Sequence, residues 1–324
     1  MGFIFRKPVI AILLILAALG VGVFVFVGLN KELSELPPTV EKPINLWPKR
    51  EVIGMSVEGR EIEAYTYYGR EDKPADVGEG VVVGAGAGAG AGEKKQLVFV
   101  GGIHGGYEWN SVLLSFQFMD YLNENPDIVP DNLIVVVIPS ANPDGVYKVT
   151  GKEGRFVATD VPTTNKEVMA TGRFNARGVD LNRNFDCKWQ PASMWQSKKV
   201  SAGSAPFSEP ESMALRNFVL KNNPDAFIFW HSQANAVYAS ECYNGILPET
   251  LDIMNAYSQA SEYPAVKSFV SYEITGASED WLASINIPAI TVELQTHETI
   301  EWERNLAGIK ALFSYYGHRT EVSR

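Results

Sequence analysis

The chain has 324 residues, of which 38 are acidic and 28 are basic, so its formal net charge is −10 at pH 7. This balance disfavours nucleic acid and anionic lipid as partners, because both would repel the protein. Composition gives no indication of an oligomeric state.

The first predicted element is an apolar segment from Val9 to Leu29, which follows the basic residues Arg6 and Lys7. About twenty apolar residues can cross a bilayer as a helix. Positive charge before the segment predicts that the N-terminus stays inside and that the rest of the chain lies outside. We therefore predict a membrane anchor over residues 1–29, with a cleaved signal segment and secretion as the alternative.

Two segments of biased composition follow. Residues 30–48 contain four prolines and are predicted to be a tether. Residues 71–95 include an alternating Gly/Ala run, which would lose much chain entropy on ordering, so we predict a flexible surface insertion there. Residues 49–324 are long enough for one domain with a single core.

Four short apolar runs end close to polar residues suited to chemistry. The runs are 96–100, 133–138, 226–230 and 288–292. Their β-rich composition, and the helical patterns between them, predict buried parallel strands of an α/β sheet. Ligands in such sheets bind beyond the carboxyl ends of the strands, so the residues that follow the runs should meet at one edge.

Two histidines and one glutamate are predicted to meet at this edge. His104 and His231 follow apolar runs, and Glu108 lies four residues after His104. Two imidazoles and one carboxylate are typical of catalytic zinc, which keeps a fourth position for water. We predict one zinc ion per chain at these three residues. His297 and His318 are predicted to be surface or packing residues, since isolated histidines rarely bind metal.

Local patterns also predict a turn and two helices. Asn142-Pro-Asp-Gly145 is typical of a turn. Ser208-Glu-Pro-Glu211 has the pattern of a capping box and predicts a helix towards Asn222. The stretch from Glu301 to Tyr316 has apolar residues at helical spacing and predicts a C-terminal amphipathic helix.

Several sequence blocks occur in order between residues 50 and 317. They are Glu51–Arg60, Asn142–Gly145, Gly178–Phe185, His231-Ser232, Thr275–Trp281 and Thr291–Leu294. Together they resemble the zinc carboxypeptidase family, and Asp-Leu-Asn-Arg-Asn in the third block is the most specific sequence. The resemblance implies an α/β fold with three α/β/α layers and a mixed, mostly parallel, twisted sheet. It also implies a catalytic domain over residues 49–324 that hydrolyses C-terminal peptide bonds with a zinc-bound water.

The resemblance assigns the reaction chemistry to two further residues. Glu293 would take a proton from the zinc-bound water and pass it to the leaving amine. Arg173 would stabilise the developing oxyanion, with Arg155 and Arg177 as competing positions.

Substrate positioning is assigned in the same way. Asn182 and Arg183 would bind the terminal carboxylate of the substrate, because a guanidinium binds a carboxylate through two hydrogen bonds. Tyr272 would donate a hydrogen bond to the bound substrate. Asp180 would accept a hydrogen bond from His104 and fix its tautomer.

One departure from the family pattern concerns the metal site. The family has two residues between the first histidine and the glutamate, whereas Gly105, Gly106 and Tyr107 make three here. The additional residue would misplace Glu108 unless the turn bulges, and a glycine pair permits such a turn. Because catalytic zinc needs a third protein ligand, we predict that Glu108 still binds the metal.

Cys187 and Cys242 are the two cysteines of the chain. In an exported protein, such a pair predicts a disulfide. Cys187 follows the Asn-Arg-Asn-Phe sequence and Cys242 follows His231, so both are expected near the site.

Glu279 falls at the family's side-chain specificity position, and a carboxylate there would favour Lys, Arg or the amine of diaminopimelate. The main prediction is therefore a metallocarboxypeptidase that prefers basic C-terminal residues. The alternative is a cell-wall hydrolase that cleaves γ-D-glutamyl-diaminopimelate bonds of stem peptides. A third hypothesis is a non-catalytic peptide-binding protein of the same fold. It is disfavoured because Glu293 and Arg183, the residues assigned to catalysis and to the substrate carboxylate, are both present.

Overall fold

The computed structural model describes residues 48–69, 94–161 and 165–317. Its strands are β1 (Lys49–Met55), β2 (Glu61–Tyr68), β3 (Lys95–Val100), β4 (Leu133–Ile138), β5 (Ala192–Trp195), β6 (Lys198–Ser201), β7 (Ala226–Ser232), β8 (Ala236–Ala239), β9 (Ala265–Val266) and β10 (Ala289–Leu294). Its helices are α1 (Trp109–Glu124), α2 (Pro143–Thr150), α3 (Lys166–Thr171), α4 (Pro210–Asn222), α5 (Pro248–Ser261), α6 (Ser278–Ser284) and α7 (Trp302–Gly317).

Within these ranges, eight strands form one mixed sheet in the order β1-β2-β4-β3-β7-β10-β8-β9, and β5 and β6 form a separate hairpin. The central strands β4, β3, β7 and β10 are parallel to their neighbours in this group, and β9 is parallel to β8. The pairs β1–β2, β2–β4 and β8–β10 are antiparallel. The four predicted strands and the mixed, mostly parallel sheet are therefore confirmed.

Helices cover both faces of the sheet because successive side chains of a strand point in opposite directions. In β3, Leu97 and Phe99 pack in a core with residues of α1, α5 and α7. Val98 and Val100 pack on the other face with residues of α4 and α6. This alternation produces the three-layer α/β/α fold, and it leaves the carboxyl edge of the sheet open for a site.

The two predicted helices form, but their ends differ in detail. The C-terminal helix α7 runs along the predicted stretch, and its apolar stripe is buried. Helix α4 ends at Asn222 as predicted, whereas the predicted capping box is wrong. Ser208 donates to the Glu209 carboxylate at 2.9 Å, and Glu211 accepts from the Val57 backbone N–H at 3.0 Å. The Glu211 carboxylate thus binds the distant backbone of Val57 and does not cap the start of its own helix.

The Asn142-Pro-Asp-Gly145 turn begins helix α2. Oδ1 of Asn142 accepts from the backbone N–H of Gly145 at 2.9 Å, which caps the helix. Asp144 accepts from the Ser56 hydroxyl at 2.6 Å and from the backbone N–H of Glu58 at 3.0 Å. These two hydrogen bonds hold the loop between β1 and β2 against the start of helix α2.

The predicted anchor, nearly all of the tether, most of the insertion and His318 lie outside the described residues. In the part of the chain that the structure describes, no helix has the length and apolar character needed to cross a membrane. The anchor over residues 1–29 therefore stays a prediction.

Candidate active site

The carboxyl ends of β3 and β7 bring two histidines and a glutamate together. His104 follows β3, His231 belongs to β7, and Glu108 ends the short 3-10 turn Gly105–Glu108. Nδ1 of His104 lies 2.8 Å from Oε1 of Glu108 and 3.1 Å from Nδ1 of His231. Nδ1 of His231 lies 3.0 Å from Oε2 of Glu108, and all three side chains are buried.

These three residues fit a zinc ion. A tetrahedral zinc with bonds of about 2.0–2.1 Å holds its ligand atoms roughly 3.3 Å apart. The donor separations of 2.8 to 3.1 Å are close to that value. When both imidazoles are neutral and carry their hydrogen on Nε2, the two Nδ1 lone pairs and the Glu108 carboxylate face one another, and a cation between them satisfies all three groups. Buried groups with unpaired polar atoms are costly without such a partner.

Two glycines accommodate the additional residue between His104 and Glu108. Gly105 has a φ of +47°, and a Cβ there would lie 2.5 Å from the carbonyl oxygen of Gly172. A Cβ on Gly106 would lie 2.6 Å from the carbonyl oxygen of Gly145. The chain therefore makes a tight 3-10 turn that only glycine permits, and this turn returns Glu108 to the side of His104.

Arg173 and Asp180 form a buried ion pair beside the metal-binding group. Nε of Arg173 donates to Oδ2 of Asp180 at 2.8 Å, and Nη1 lies 3.7 Å from Oε1 of Glu108. Burial raises the pKa of Asp180, but the charges of Arg173 and Arg183 outweigh it and hold that pKa well below its usual value. Oδ1 of Asp180 lies 3.5 Å from Nε2 of His104, so the predicted pair is present at a longer distance than a usual hydrogen bond.

Glu293 stands at the end of β10, directly opposite His231 on β7. Its Oε2 accepts from the backbone N–H of Ala234 at 3.2 Å. Burial, followed by the negative charge of Glu108, raises the pKa of Glu293 to about 7. A carboxylate with a pKa near neutrality is suited to both accept and donate a proton.

The Arg183 side chain is almost fully buried but reaches the same cavity. Its Nη1 donates to the carbonyl oxygen of Asn182 at 2.6 Å. Its Nε and Nη2 donate to the carbonyl oxygen of Met194 at 3.2 and 3.1 Å. A guanidinium has five N–H donors, so one donor on each terminal nitrogen remains for a ligand.

Asn182 connects Arg183 with the opposite wall of the cavity. Its Oδ1 accepts from the backbone N–H and the hydroxyl of Ser278, both at 2.8 Å. Its Nδ2 lies 3.5 Å from Oε1 of Glu279, and Oε2 of Glu279 lies 2.9 Å from the same Ser278 hydroxyl, whose single hydrogen Asn182 and Glu279 share. These contacts hold the Asn182 amide and the Glu279 carboxylate in fixed positions.

One cavity of about 520 Å³ is lined by almost all of the predicted site residues. They are His104, Glu108, Arg173, Asn182, Arg183, His231, Tyr272, Glu279 and Glu293. Asp180 is fully buried and lies outside the lining. Tyr272 is partly buried and contacts Phe269, with ring centroids 4.8 Å apart.

The two arginines that compete with Arg173 lie elsewhere. Arg155 is exposed and pairs with Asp120 at 2.8 Å. Arg177 lies 3.5 Å from Glu209, with 55% of its side chain exposed. Neither lines the cavity, so Arg173 is the one of the three placed at the metal-binding group.

A disulfide joins Cys187 and Cys242, whose Cα atoms are 6.1 Å apart. Cys187 also accepts, through its carbonyl oxygen, from the backbone N–H of Gly276 at 2.8 Å. The hydrogen bond from Gly276 thus holds the end of the Asn-Arg-Asn-Phe segment against the loop before α6, the helix that carries Glu279, and the disulfide joins the same segment to Cys242.

Sequence reasoning missed an aromatic group beside the metal-binding residues. The Tyr107 ring lies 5.1 Å from Trp195 and 4.6 Å from His297, measured between ring centroids. Nδ1 of His297 lies 2.6 Å from the hydroxyl oxygen of Ser232. His297 is a packing residue as predicted, and it also lines the cavity. The position of Tyr107 between His104 and Glu108 was a usable signal, whereas nothing local marked Trp195 or His297.

Comparison with known proteins agrees with this architecture. A profile described as zinc carboxypeptidase matches residues 48–308. The chain is 28% identical to carboxypeptidase B from Helicoverpa zea over 227 residues, 62% of this chain and 51% of that protein. It is 30% identical to murein peptide amidase A from Escherichia coli (strain K12) over 131 residues, 37% of this chain and 50% of that protein. The chain thus spans about half the length of these curated relatives.

A solved structure shows the same fold. Murein-tripeptide amidase from Escherichia coli O157 has a TM-score of 0.56 to this chain at 22% sequence identity, with 85% of this chain and 94% of that chain covered. The mixed sheet and the buried His-Glu-His group at its carboxyl edge define a zinc-peptidase type of α/β protein. Because the family profile covers residues 48–308, the chain belongs to the zinc carboxypeptidase family.

Proposed function

We propose that the protein is a zinc-dependent metallocarboxypeptidase that releases a C-terminal amino acid, with a preference for a cationic side chain. One observation carries this proposal. The metal-binding group, Glu293 and Arg183 all line one cavity of about 520 Å³. Such a cavity has room for a terminal residue and the bond that precedes it.

Arg183 determines which end of a peptide binds. Its remaining N–H groups lie on the two terminal nitrogens, which matches the two oxygens of a carboxylate. The Met194 and Asn182 carbonyl oxygens hold the guanidinium in place, so little conformational entropy is lost when a carboxylate binds. A substrate with a free carboxylate on its last residue is therefore favoured over an internal peptide segment.

His104, Glu108 and His231 would hold the metal. When bound, zinc supplies a water of lowered pKa and polarises the carbonyl group of the bond to be cleaved. Glu293 accepts the water's proton and then protonates the leaving amine, which its pKa of about 7 permits in both directions.

Arg173 and Tyr272 position the substrate around this reaction. Asp180 holds Nε of Arg173 at 2.8 Å, so the terminal nitrogens of the guanidinium are directed beside the metal-binding group. There they stabilise negative charge that develops on the carbonyl oxygen. Tyr272 lines the same cavity and donates a hydrogen bond to the bound peptide.

The wall around Glu279 favours a cationic leaving residue. Glu279, Asp280, Glu241 and Glu273 line the cavity, and Lys188 is the one lysine among all the described lining residues. The excess of carboxylates attracts a side chain that ends in an ammonium or a guanidinium.

A second candidate substrate is the stem peptide of bacterial cell walls. The relative named murein peptide amidase A and the carboxylate at Glu279 both favour it. The amine of diaminopimelate would then occupy the place of a lysine ammonium. The two candidates share the chemistry of the site and differ in the leaving residue.

The test compares the full-length protein on two substrate panels. One panel contains peptides that differ only in the last residue, and the other contains purified stem peptides. We expect release of one C-terminal residue from at least one panel, loss of activity with a chelator and recovery with zinc. Binding without turnover by the zinc-loaded protein would instead support a peptide-binding protein, and C-terminally amidated peptides serve as the matched control for Arg183.

We also propose that residues 1–29 anchor the chain in a membrane, that residues 30–48 form a tether, and that residues 49–324 form the catalytic domain outside the cytoplasm. Arg6 and Lys7 before the apolar segment support this orientation. The disulfide supports it as well, because disulfides persist in oxidising compartments. Protease treatment of intact cells should degrade the catalytic domain. Release of the protein into the medium would favour a cleaved signal segment instead.

A further inference from the structure

The wall of the cavity near Glu279 carries one cation, Lys188, whose backbone is held in place by two contacts. Lys188 follows Cys187, which the disulfide joins to Cys242. Its φ is +51°, and its backbone N–H donates to the hydroxyl oxygen of Tyr243 at 3.1 Å. Lys188 therefore belongs to a built part of the cavity wall, although its side chain is exposed.

Lys188 and Glu279 lie on one connected piece of structure. The disulfide joins Cys187, which precedes Lys188, to Cys242, which follows Glu241, and the backbone N–H of Glu241 donates to Oδ1 of Asp280 at 3.0 Å. Asp280 is the neighbour of Glu279 in helix α6. Burial and then the charge of Glu279 raise the pKa of Asp280 to about 7, while Lys188 lowers it, so both charges act at this carboxyl group.

Two carboxylates of this wall, those of Glu279 and Asp280, have partners other than Lys188. Glu279 accepts from Ser278, and Asp280 accepts from the backbone of Glu241. Among the described residues, Lys188 makes no ion pair and no side-chain hydrogen bond. Its ammonium is thus available to a ligand in the same cavity as the Glu279 carboxylate.

We propose that Lys188 and Glu279 together form a subsite for a leaving residue whose side chain ends in a free α-amino acid group. Such a group has an ammonium and a carboxylate on one carbon, as in diaminopimelate. Glu279 accepts the ammonium and Lys188 binds the carboxylate. This inference rests on the proposed function and deepens it, because a lysine side chain has only the first of the two charges.

A different role for Lys188 predicts a different result. If Lys188 only offsets the negative charge of Asp280, its removal makes the cavity more attractive to every cationic side chain. The lysine side chain, a net cation, would then be favoured, whereas the zwitterionic end of diaminopimelate, which has no net charge, would change little. The ratio of the two rates therefore shifts under both roles, and the absolute kcat/KM on the diaminopimelate peptide separates them, because it falls only if Lys188 binds the carboxylate.

The experiment uses two peptides that differ only in the leaving residue, L-lysine or meso-diaminopimelate. Wild type should have a kcat/KM about 5-fold higher for the diaminopimelate peptide, since exposed ion pairs are weak. Lys188→Gln should abolish this preference by lowering kcat/KM on the diaminopimelate peptide about 5-fold, without lowering it on the lysine peptide, and Lys188→Arg should retain most of the preference. Lys199→Gln, an exposed lysine of β6 outside the cavity, is the matched control and should behave as wild type.

The proposal would be overturned by a wild type without preference, by a preference that persists in Lys188→Gln, or by a preference lost only because the rate on the lysine peptide rises. If the zinc-loaded wild type cleaves neither peptide, the proposed function fails, and calorimetric binding of the free amino acids tests the subsite by itself. Wild type should then bind meso-diaminopimelate more tightly than lysine, and Lys188→Gln should bind both equally. Equal binding by wild type would overturn the subsite.

Discussion

Replacing Glu279 with glutamine tests the leaving-residue pocket with little change in shape. The amide keeps an oxygen for the Ser278 hydroxyl, which lies 2.9 Å from Oε2 of Glu279 in the structure. What the substitution removes is the negative charge that faces the cavity. Peptides that end in lysine or in norleucine make a matched pair, since their side chains have similar length and only lysine is charged.

The expected magnitude follows from the partial burial of Glu279. An exposed ion pair contributes about 0.2–1 kcal/mol, and a hydrogen bond to a charged group about 1.5–3 kcal/mol. A half-buried carboxylate lies between these limits, so we expect about 1–2 kcal/mol, or about 5- to 30-fold in kcat/KM. Glu279→Gln should lower the rate on the lysine peptide by this factor and leave the norleucine peptide nearly unchanged.

The assay is kcat/KM for both peptides with wild type, Glu279→Gln and the control Glu303→Gln. Glu303 is an exposed glutamate of α7 outside the cavity, so its removal tests long-range charge alone. A lysine-to-norleucine ratio that is the same in wild type and Glu279→Gln would refute the reasoning. Glu279 would then lie outside the pocket that the leaving side chain occupies.

Three further predictions concern other parts of the site. Glu293→Gln should reduce turnover roughly 100-fold or more, because general-base catalysis is lost, while zinc content measured by atomic absorption stays at the wild-type level. Gly105→Ala should lower zinc content and destabilise the fold by about 2 kcal/mol or more, since it adds a backbone clash to a positive φ. The control Gly178→Ala, with a φ of +77° and open space around the Cβ, should cost only about 1–2 kcal/mol in urea unfolding. The pKa of Asp280 is raised from 3.8 to about 7 by burial and the charge of Glu279, so the folded protein binds the proton more tightly than the unfolded chain does. The protonated carboxyl group therefore stabilises the fold at low pH, and this contribution is lost as the pH rises from about 4 to 7. The unfolding free energy of wild type should therefore fall relative to Asp280→Asn by about 2–4 kcal/mol over that range, and parallel pH profiles would contradict the assignment.

The sheet and the metal-binding group could be predicted because their signals are local. Each apolar run defines a strand, and parallel strands bring their carboxyl ends to one edge. His104, His231 and Glu293 are separated by long stretches of sequence, yet β3, β7 and β10 are neighbours in the sheet. The glycine pair between His104 and Glu108 also marked the turn that absorbs the additional residue.

Features that depend on partners from distant segments could not be predicted. Glu211 accepts a hydrogen bond from Val57, 154 positions away in the sequence, and this contact replaces the predicted capping box. Ser232 and His297 are 65 positions apart. No periodicity or local motif reports such pairings, because they follow from how loops pack at the edge of the sheet.

The central claim is that His104, Glu108 and His231 bind one zinc ion at the edge of the sheet. Crystals grown with zinc and measured on both sides of the zinc absorption edge test it most directly. We predict one anomalous peak per chain, about 2.0–2.2 Å from Nδ1 of both histidines and a carboxylate oxygen of Glu108, and no peak in His231→Ala crystals. A peak at another position, or a peak that persists in His231→Ala, would contradict the account.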